Sequence, residues 1–597
     1  MIILINKKRA VLKKGSSFEF ISENRFFTGA DSYTLTITFP LRGCTENIDI
    51  FGHICRKDAD LDTLLLDCEI HDGNFHRYGS VSIVSVSETE VKTQFLEGRS
   101  ASNFHSSLDD IYINEIPMPY LMAFAEQGIG YYLASYQEQK RMEANGEARY
   151  LGFVCLPWVN NTSGNIQNEL VASDWNYYYK GGSEIPLIGF PFLIEVIRQV
   201  LEGAGYRCDL SEIEKSQWVN LIVCQGFPWI WNMSAMNKML PHWTVSEFLE
   251  QVELFLGGQF EIEGHNVRFS FNVNIIGDMQ VVPITSVTDS HTVEIADGGE
   301  GRDGYIEQKN LAYRDENHPM WKFYSCQWAK DSLPTVSYES IAAMKASLDA
   351  YLNCAGPYRS DVYRQLHYCE KEDTCFVLKC KGTKKIDGVI HHLMRYQPVN
   401  MLGPRLFSRD KDADSVELGI VPACIDYTDT IHGDMLFVEC GTLGDDVQNA
   451  ADGDENQTQA VNTLAAGEGQ QKEEFFDRIH VAFWEWSYFQ YYPYSPRPYI
   501  DRHEIRPDNF YMSHSCSMRL TGKEAPFSAA TRYKVNEQRR YTFSFLSDSI
   551  PDVRSIFLIH GKRYMAEKIK ATFSAETGMS HLLKMTCYRL EDGLPDE

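Results

Sequence analysis

The sequence predicts a mainly β, multidomain protein with an α+β insertion. Three observations carry this. Tyr33, Leu35, Ile37 and Phe39 alternate with Thr34 and Thr36 and Thr38, the two-residue period of a half-buried strand. Strong helical periodicity is confined to residues 186 to about 275. The chain has 597 residues, too many for one core, and about three to five domains are expected.

Residues 1–115 read as β throughout and form the first expected domain. Every residue from Tyr33 to Phe39 is β-branched, aromatic or Leu, which suits a pleated surface. Pro40 ends that strand because it cannot donate to a ladder. A second apolar run follows at Ile48, Ile50, Phe51 and Ile54. Around Ile83-Val84 the alternation of Val81, Ile83, Val84 and Val86 with serines slips by one residue, as a β-bulge would allow; two short strands are the alternative. Lys92 to Glu97 reads as a short strand, and Asp72-Gly73-Asn74 as a turn.

Residues 116–185 read as an aromatic-rich loop and β insertion. Tyr131, Tyr132, Tyr136, Tyr150, Trp158, Trp175, Tyr177, Tyr178 and Tyr179 crowd there among Asn and Gly. Packing of a small domain is the plain explanation, and a sugar platform or protein interface the functional one. Residues 186–275 form an α+β domain with two amphipathic helices. Pro191 is placed in the first turn of one helix, whose stripe is Leu193, Val196, Ile197, Val200 and Leu201, stopped by Gly203 and Gly205. Thr244 and Glu247 form a capping box for the next, with Val245, Phe248, Leu249, Val252 and Leu256 buried and Gly257-Gly258 at its end. A hairpin from Gln259 to Phe271 follows, turning near Gly264-His265-Asn266.

Residues 276–597 are expected to be a second β domain. Ser340 to Asn353 can form a helix with Ile341, Met344, Leu348 and Leu352 on one face. Residues 441–474 carry eight carboxylates, one lysine and no aromatic. Such a stretch buries too little apolar area to offset ordering entropy, so it reads as a flexible acidic loop, or as an arm that orders on assembly. Beyond it lie Ile479, Val481, Phe483, Trp484-Glu485-Trp486, and then YYPYSPRPY, whose prolines are expected to break any ladder. Tyr541, Phe543 and Phe545 open a terminal meander with turns at Gly561 and Gly578.

Three stretches also carry a resemblance. The first runs from the basic N-terminus to a strand ending Phe39-Pro40-Leu41 and then Glu46-Asn47, Ile50-Phe51-Gly52, Ile54 and Arg56. The second is PHWTVSEFL with its flanking helices and hairpin, and the third is IFLIHGKRYMAEKIKATFSAETGMSHLLKMTCYRL. In this order they resemble the tail hub (baseplate hub, tail-associated) proteins of phages and prophages of gut Bacteroidales. The resemblance implies tail-tube-like β-barrels, two per chain, plus a small helix-on-sheet domain. It also implies a homotrimer whose six barrels continue a six-fold tube at the virion tail tip. Implied partners are a tail tube or distal tail protein, a tape-measure protein and a receptor-binding or spike protein. The tyrosine-rich insertion, the acidic loop and the prolyl-aromatic run lie outside the resemblance.

Charge and motifs narrow the function. With 82 Asp and Glu against 56 Lys and Arg, the formal net charge is −26. That argues against gripping nucleic acid through its phosphates, though DNA can pass an acidic wall without sticking. The 15 cysteines are scattered, with no CxxC pair, and read as buried free thiols from a reducing cytosol. Cys369, Cys375 and Cys380, with His391 and His392 beyond, have wide zinc-like spacing, but FVLK between the last two thiols reads as a strand. No Walker loop, GxGxxG, GxSxG or HExxH occurs. Asp410, Asp412 and Asp414 start like a calcium loop but fail at Ser415 and Val421; Asp452, Asp454 and Asn456 fail likewise, and Asp58, Asp60 and Asp62 read as a solvated turn. Lone histidines such as His242 read as hydrogen-bonded core or surface residues. Asn6 and then Lys7, Lys8 and Arg9 follow the apolar Met1–Ile5, an order reversed for secretion, and no run suits a membrane span. No catalytic, cofactor or metal residue is therefore expected. A structural hub is the leading expectation. A glycan-binding or glycan-cleaving tail protein, using the insertion or Trp484 to Tyr499, and a distal tail adaptor ring are the alternatives.

Overall fold

A computed structural model describes residues 1–28, 32–56, 65–97, 107–124, 129–160, 166–173, 176–179, 187–225, 235–263, 265–295, 303–305, 311–313, 334–355, 365–370, 374–399, 416–426, 435–438, 476–486, 496–500, 503–505, 511–513, 516–518 and 534–591. The protein is mainly β and multidomain, with several sheets and separate hydrophobic cores. The acidic stretch 441–474 and the three candidate aspartate loops lie outside the described residues.

The largest sheet has 16 strands and draws on both ends of the chain. Its main path is Lys8–Ala10, Ile2–Ile5, Leu65–Asp72, Phe75–Val86, Glu90–Leu96, Tyr33–Thr34, Ser17–Glu23, Lys562–Ser574, Leu582–Glu591, Lys534–Leu546 and Val287–Ile295, with five further strands paired off it. The seam is the antiparallel pair Ser17–Glu23 with Lys562–Ser574, Phe20 opposite Ala571. This seam fuses the first and last β regions edge to edge, across the expected divisions at 115 and 276. The path that results is an open one among the described residues, where separate barrels are expected. It is nonetheless strongly coiled. Phe20 and Phe75 have ring centroids 5.1 Å apart, and Phe75 and Phe573 4.8 Å. The Met579 amide donates to Asp72 Oδ2 at 2.6 Å from several strands away. Gly578 permits this approach, since a Cβ there would stand 2.3 Å from Asp72 Oδ2.

The bulge is present: Phe75–Val86 is one strand whose register shifts between Ile83 and Ser85. The strand from Tyr33 to Phe39 is instead two pieces, Tyr33–Thr34 and Ile37–Pro40. Thr34 turns inward and its hydroxyl accepts the Phe95 amide at 2.8 Å. Leu35, expected on the apolar face, is 45% exposed. Nor is the region β throughout. Arg25–Thr28, Thr45–Phe51 and Ser107–Asp110 are helical. Asn47 explains the second: it bonds the Val11 amide and carbonyl and the Pro40 carbonyl, fastening the helix beside the sheet.

The second body holds the two long amphipathic helices. Leu193–Gly203 and Val245–Leu256 bury the expected stripes. Thr244 Oγ1 accepts the Glu247 amide at 3.1 Å, and Gly257 closes the helix in the left-handed region at φ 66°. Pro191 is outside the first helix, in a two-residue strand Phe190–Pro191 paired with Phe153–Val154, and Phe192 takes the cap position. The hairpin Gly258–Glu263 with Asn266–Phe271 pairs Phe260 with Phe269 and Ile262 with Val267. Arg207–Asp209 adds a parallel strand, making the helix-on-sheet unit. Its core continues into residues 108–187 and 418–518. Pro496–Tyr499 overturns the expectation of a broken ladder: it pairs with Ile479–Trp486 as an outer strand, where a missing amide is tolerated.

A third, smaller core lies under a five-stranded sheet of Thr335–Tyr338, Leu366–Cys369, Thr374–Ile386, Val389–Val399 and Asn353–Ala355. The helix Ile341–Leu348, capped by Ser340, buries Met344 and Leu348 against it. It is shorter than the predicted span to Asn353, a 3-10 turn Asp349–Tyr351 completing the stretch.

Candidate functional site: edges, clamps and polar clusters

The outermost strand Val287–Ile295 is the most open feature of the large sheet. It pairs with Lys534–Leu546 on one side and, among the described residues, with nothing on the other. Val293 is 41% and Ile295 72% exposed. An edge with free backbone groups and apolar side chains is a template for another strand. The opposite edge is Lys8–Ala10, short and charged, which blunts such pairing.

Two ion-pair clamps hold the large sheet against the helix-on-sheet unit. Arg25 Nη2 meets Glu253 Oε1 at 2.8 Å, and Arg25 Nη1 donates to the Phe260 carbonyl at 2.7 Å. The same Glu253 oxygen accepts the Phe260 amide at 2.7 Å. Arg554 pairs with Glu261 of the adjacent hairpin strand and with Asp552. Within the sheet, Arg540 binds Glu567 through two hydrogen bonds of 2.6 and 2.7 Å, joined by the Tyr588 hydroxyl at 3.1 Å. Burial pushes the Glu567 carboxyl up, but the Arg540 bonds and charge outweigh it and hold the group below its ordinary value.

A half-buried polar cluster ties three helices of the second body. Arg198 pairs with Glu195 and, at 3.0 Å, with Glu214. Tyr136 donates to Glu214 at 2.9 Å and Tyr150 to Glu195 at 3.2 Å. Lys140 sits 3.7 Å over the Tyr150 ring. Burial pushes Tyr136 up to about 12, with Arg198 opposing and Glu214 adding. Tyr150 is likewise raised by burial and then by Glu195. Phenols held protonated by burial suit a structural brace better than a nucleophile or base.

The aromatic residues mostly build core. Tyr132, Tyr136, Trp158 and Tyr179 are buried. Trp484 is 2% exposed and donates its indole N–H to the Leu133 carbonyl at 2.9 Å; Tyr499 is 3% exposed and stacks on Phe483. Those two cannot present a sugar platform. Tyr178 is exposed, while Trp175 and the Tyr177 side chain lie outside the described residues. His242 stacks on Tyr112 at 3.9 Å and bonds Asn114.

Of the thiols whose side chains are described, seven are buried and Cys55 and Cys208 half-buried. Cys68, Cys155, Cys224 and Cys587 are free and buried, and burial pushes each thiol up. Cys369 packs its sulfur on Met344 at 3.7 Å. Cys375 and Cys380 do fall on one strand, and their side chains lie outside the described residues. One cluster with metal-ligand chemistry escaped sequence reasoning. Glu69, His71 and His76 share the outward face of the hairpin of Leu65–Asp72 and Phe75–Val86, with donor atoms all within 4.8 Å of one another. Glu-x-His before a Gly turn and His after it was the available signal. No described helix is long and apolar enough to cross a membrane.

These features define a class: a mainly β, multidomain protein whose two chain ends share one sheet. No protein-family model matches the chain, and no curated protein matches it. Among solved structures, the tail protein from Neisseria meningitidis MC58 is similar at a TM-score of 0.24 and 9% identity, over 99% of this chain and 96% of that one. That likeness is too slight to assign a fold family.

Proposed function

We propose that this chain is a structural tail-tip hub protein of a phage or phage-like particle. In this reading it acts as one protomer of a homotrimeric ring that extends the tail tube and joins it to receptor-binding or puncturing components. The observation that supports it most is the shared sheet: two β meanders, one from each end of the chain, lie side by side and end on an exposed apolar edge. Such a protomer offers two tube-wall units, so three copies would supply six. Contacts that seat the Val287–Ile295 edge of each copy on the next around an axis would close a ring and cover that edge. The arginine clamps would hold the helix-on-sheet unit at a fixed angle to that wall. The work is done by shape, without a covalent step or specific nucleic-acid binding.

The test is assembly. Sedimentation and electron microscopy of the purified chain are expected to show a trimeric ring with a central hole. V293K/I295K, placing charge on the exposed edge, is expected to yield folded monomer. A wild-type chain that stays monomeric under assembly conditions refutes the reading, as does a ring indifferent to the edge substitutions.

A further inference from the structure

The turn of the hairpin at residues 65–86 carries a donor set that ring assembly does not use. Leu65–Asp72 and Phe75–Val86 are joined by the two-residue loop Gly73-Asn74, with Gly73 at φ 58°. The register places His71 opposite His76, and Glu69 opposite Tyr78. Side chains two apart on a strand share a face, and directly paired residues share it too. Cys68, Ile70 and Phe75 take the other face and are buried. Glu69, His71 and His76 are thereby gathered on the outer surface by the pleat itself.

Their geometry is close to that of a coordination shell. His71 Nε2 lies 3.0 Å from Glu69 Oε2. The two imidazoles stack with centroids 3.9 Å apart and planes 27° from parallel, so His76 must turn out of the stack for its in-plane lone pair to meet an ion held by His71. Donors around a tetrahedral zinc, bound at about 2.0–2.1 Å, stand about 3.3 Å from one another. The Glu69–His71 pair already matches that spacing. The widest separation, within 4.8 Å, closes by rotation of His76, whose side chain is exposed. Strand pairing fixes the three Cα positions, so little backbone order must be gained on binding.

We propose that Glu69, His71 and His76 form a binding site for a divalent transition metal of the zinc class. Two imidazoles and one carboxylate suit Zn²⁺, Co²⁺ or Ni²⁺; Ca²⁺ and Mg²⁺ prefer all-oxygen shells. Three protein ligands leave a position open to water or to a group from a neighbouring molecule. An ion there would cross-link the two strands beside their turn and take the place of the His71–Glu69 contact.

Co²⁺ is the probe, titrated into the full chain with its thiols kept reduced. The expected result is one saturable ion per chain whose visible spectrum lacks a thiolate charge-transfer band, displaced by Zn²⁺. H71A and H76A are each expected to weaken binding at least about tenfold, and E69Q to weaken it measurably. These residues are on the outer face, so the metal-free melting temperature of each variant is expected to match wild type, separating lost ligation from lost folding. No saturable binding overturns the proposal. So does binding with a thiolate band, or with an affinity that both histidine variants leave unchanged.

Discussion

Replacing Arg25 with Ala strikes the better buried of the two clamps. Arg25 and Glu253 side chains are 10% and 11% exposed, and the guanidinium also donates to the Phe260 carbonyl. Removing one partner of a buried pair costs about 3–5 kcal/mol, chiefly because the remaining charge stays desolvated. Slight exposure and the Phe260 amide still bound to Glu253 reduce this, and about 2–4 kcal/mol is expected. For a unit of 150–250 residues, about 3 kcal/mol corresponds to about 6–12 °C in melting temperature. The assay is calorimetry of wild type, R25A, E253Q and the apolar pair R25M/E253L, together with limited proteolysis. Either single variant should lower the transition. The double variant should recover part of the loss, because no charge is left stranded, while the Phe260 amide and carbonyl lose their partners and keep the recovery incomplete. A single substitution costing under about 0.5 kcal/mol would refute the reasoning, being the size of ordinary surface changes. A double variant as unstable as the singles would refute it equally.

Two further outcomes follow from the sheet. Glu567 is held below its ordinary value, so its pairing with Arg540 stabilises the fold above the unfolded carboxyl pKa of about 4.3 and is lost as pH falls through the lower folded value. The melting temperature should drop in that acid range, and E567Q should show a shallower drop when scanned from neutral pH downward. Thr34→Val keeps the shape of the side chain but strands the buried Phe95 amide. A loss of about 1–3 kcal/mol in denaturant midpoint analysis is expected, against near-neutrality for Leu35→Thr on the exposed side.

What the sequence revealed was local, and what it concealed was a matter of partners. The helix stripes at Leu193–Gly203 and Val245–Leu256, the bulge at Ile83 and the hairpin at 258–271 follow from periodicity and turn chemistry within a dozen residues. Thr34 defied its alternation because an amide 61 residues away captured its hydroxyl. Pro496 and Pro498 joined a ladder because the strand they pair with leaves an outer place to fill. The barrels expected from each end became one sheet because Ser17–Glu23 found Lys562–Ser574, a choice no window of sequence can display. Glu69, His71 and His76 escaped because the hairpin turn splits their pattern across two strands. Once Asp72-Gly73-Asn74 is taken as that turn, counting outward by twos brings all three together.

The long-range seam has a consequence for biosynthesis. Translation at about 5–20 residues per second leaves roughly half a minute to two minutes between the emergence of Glu23 and that of Lys562. Throughout that interval the phenylalanine-rich strand Ser17–Glu23 lacks its later neighbour and is open to pairing with a nascent copy on the same messenger. A cell making this protein therefore has reason to shield that strand with a chaperone, and overexpression should fail first through premature contacts there.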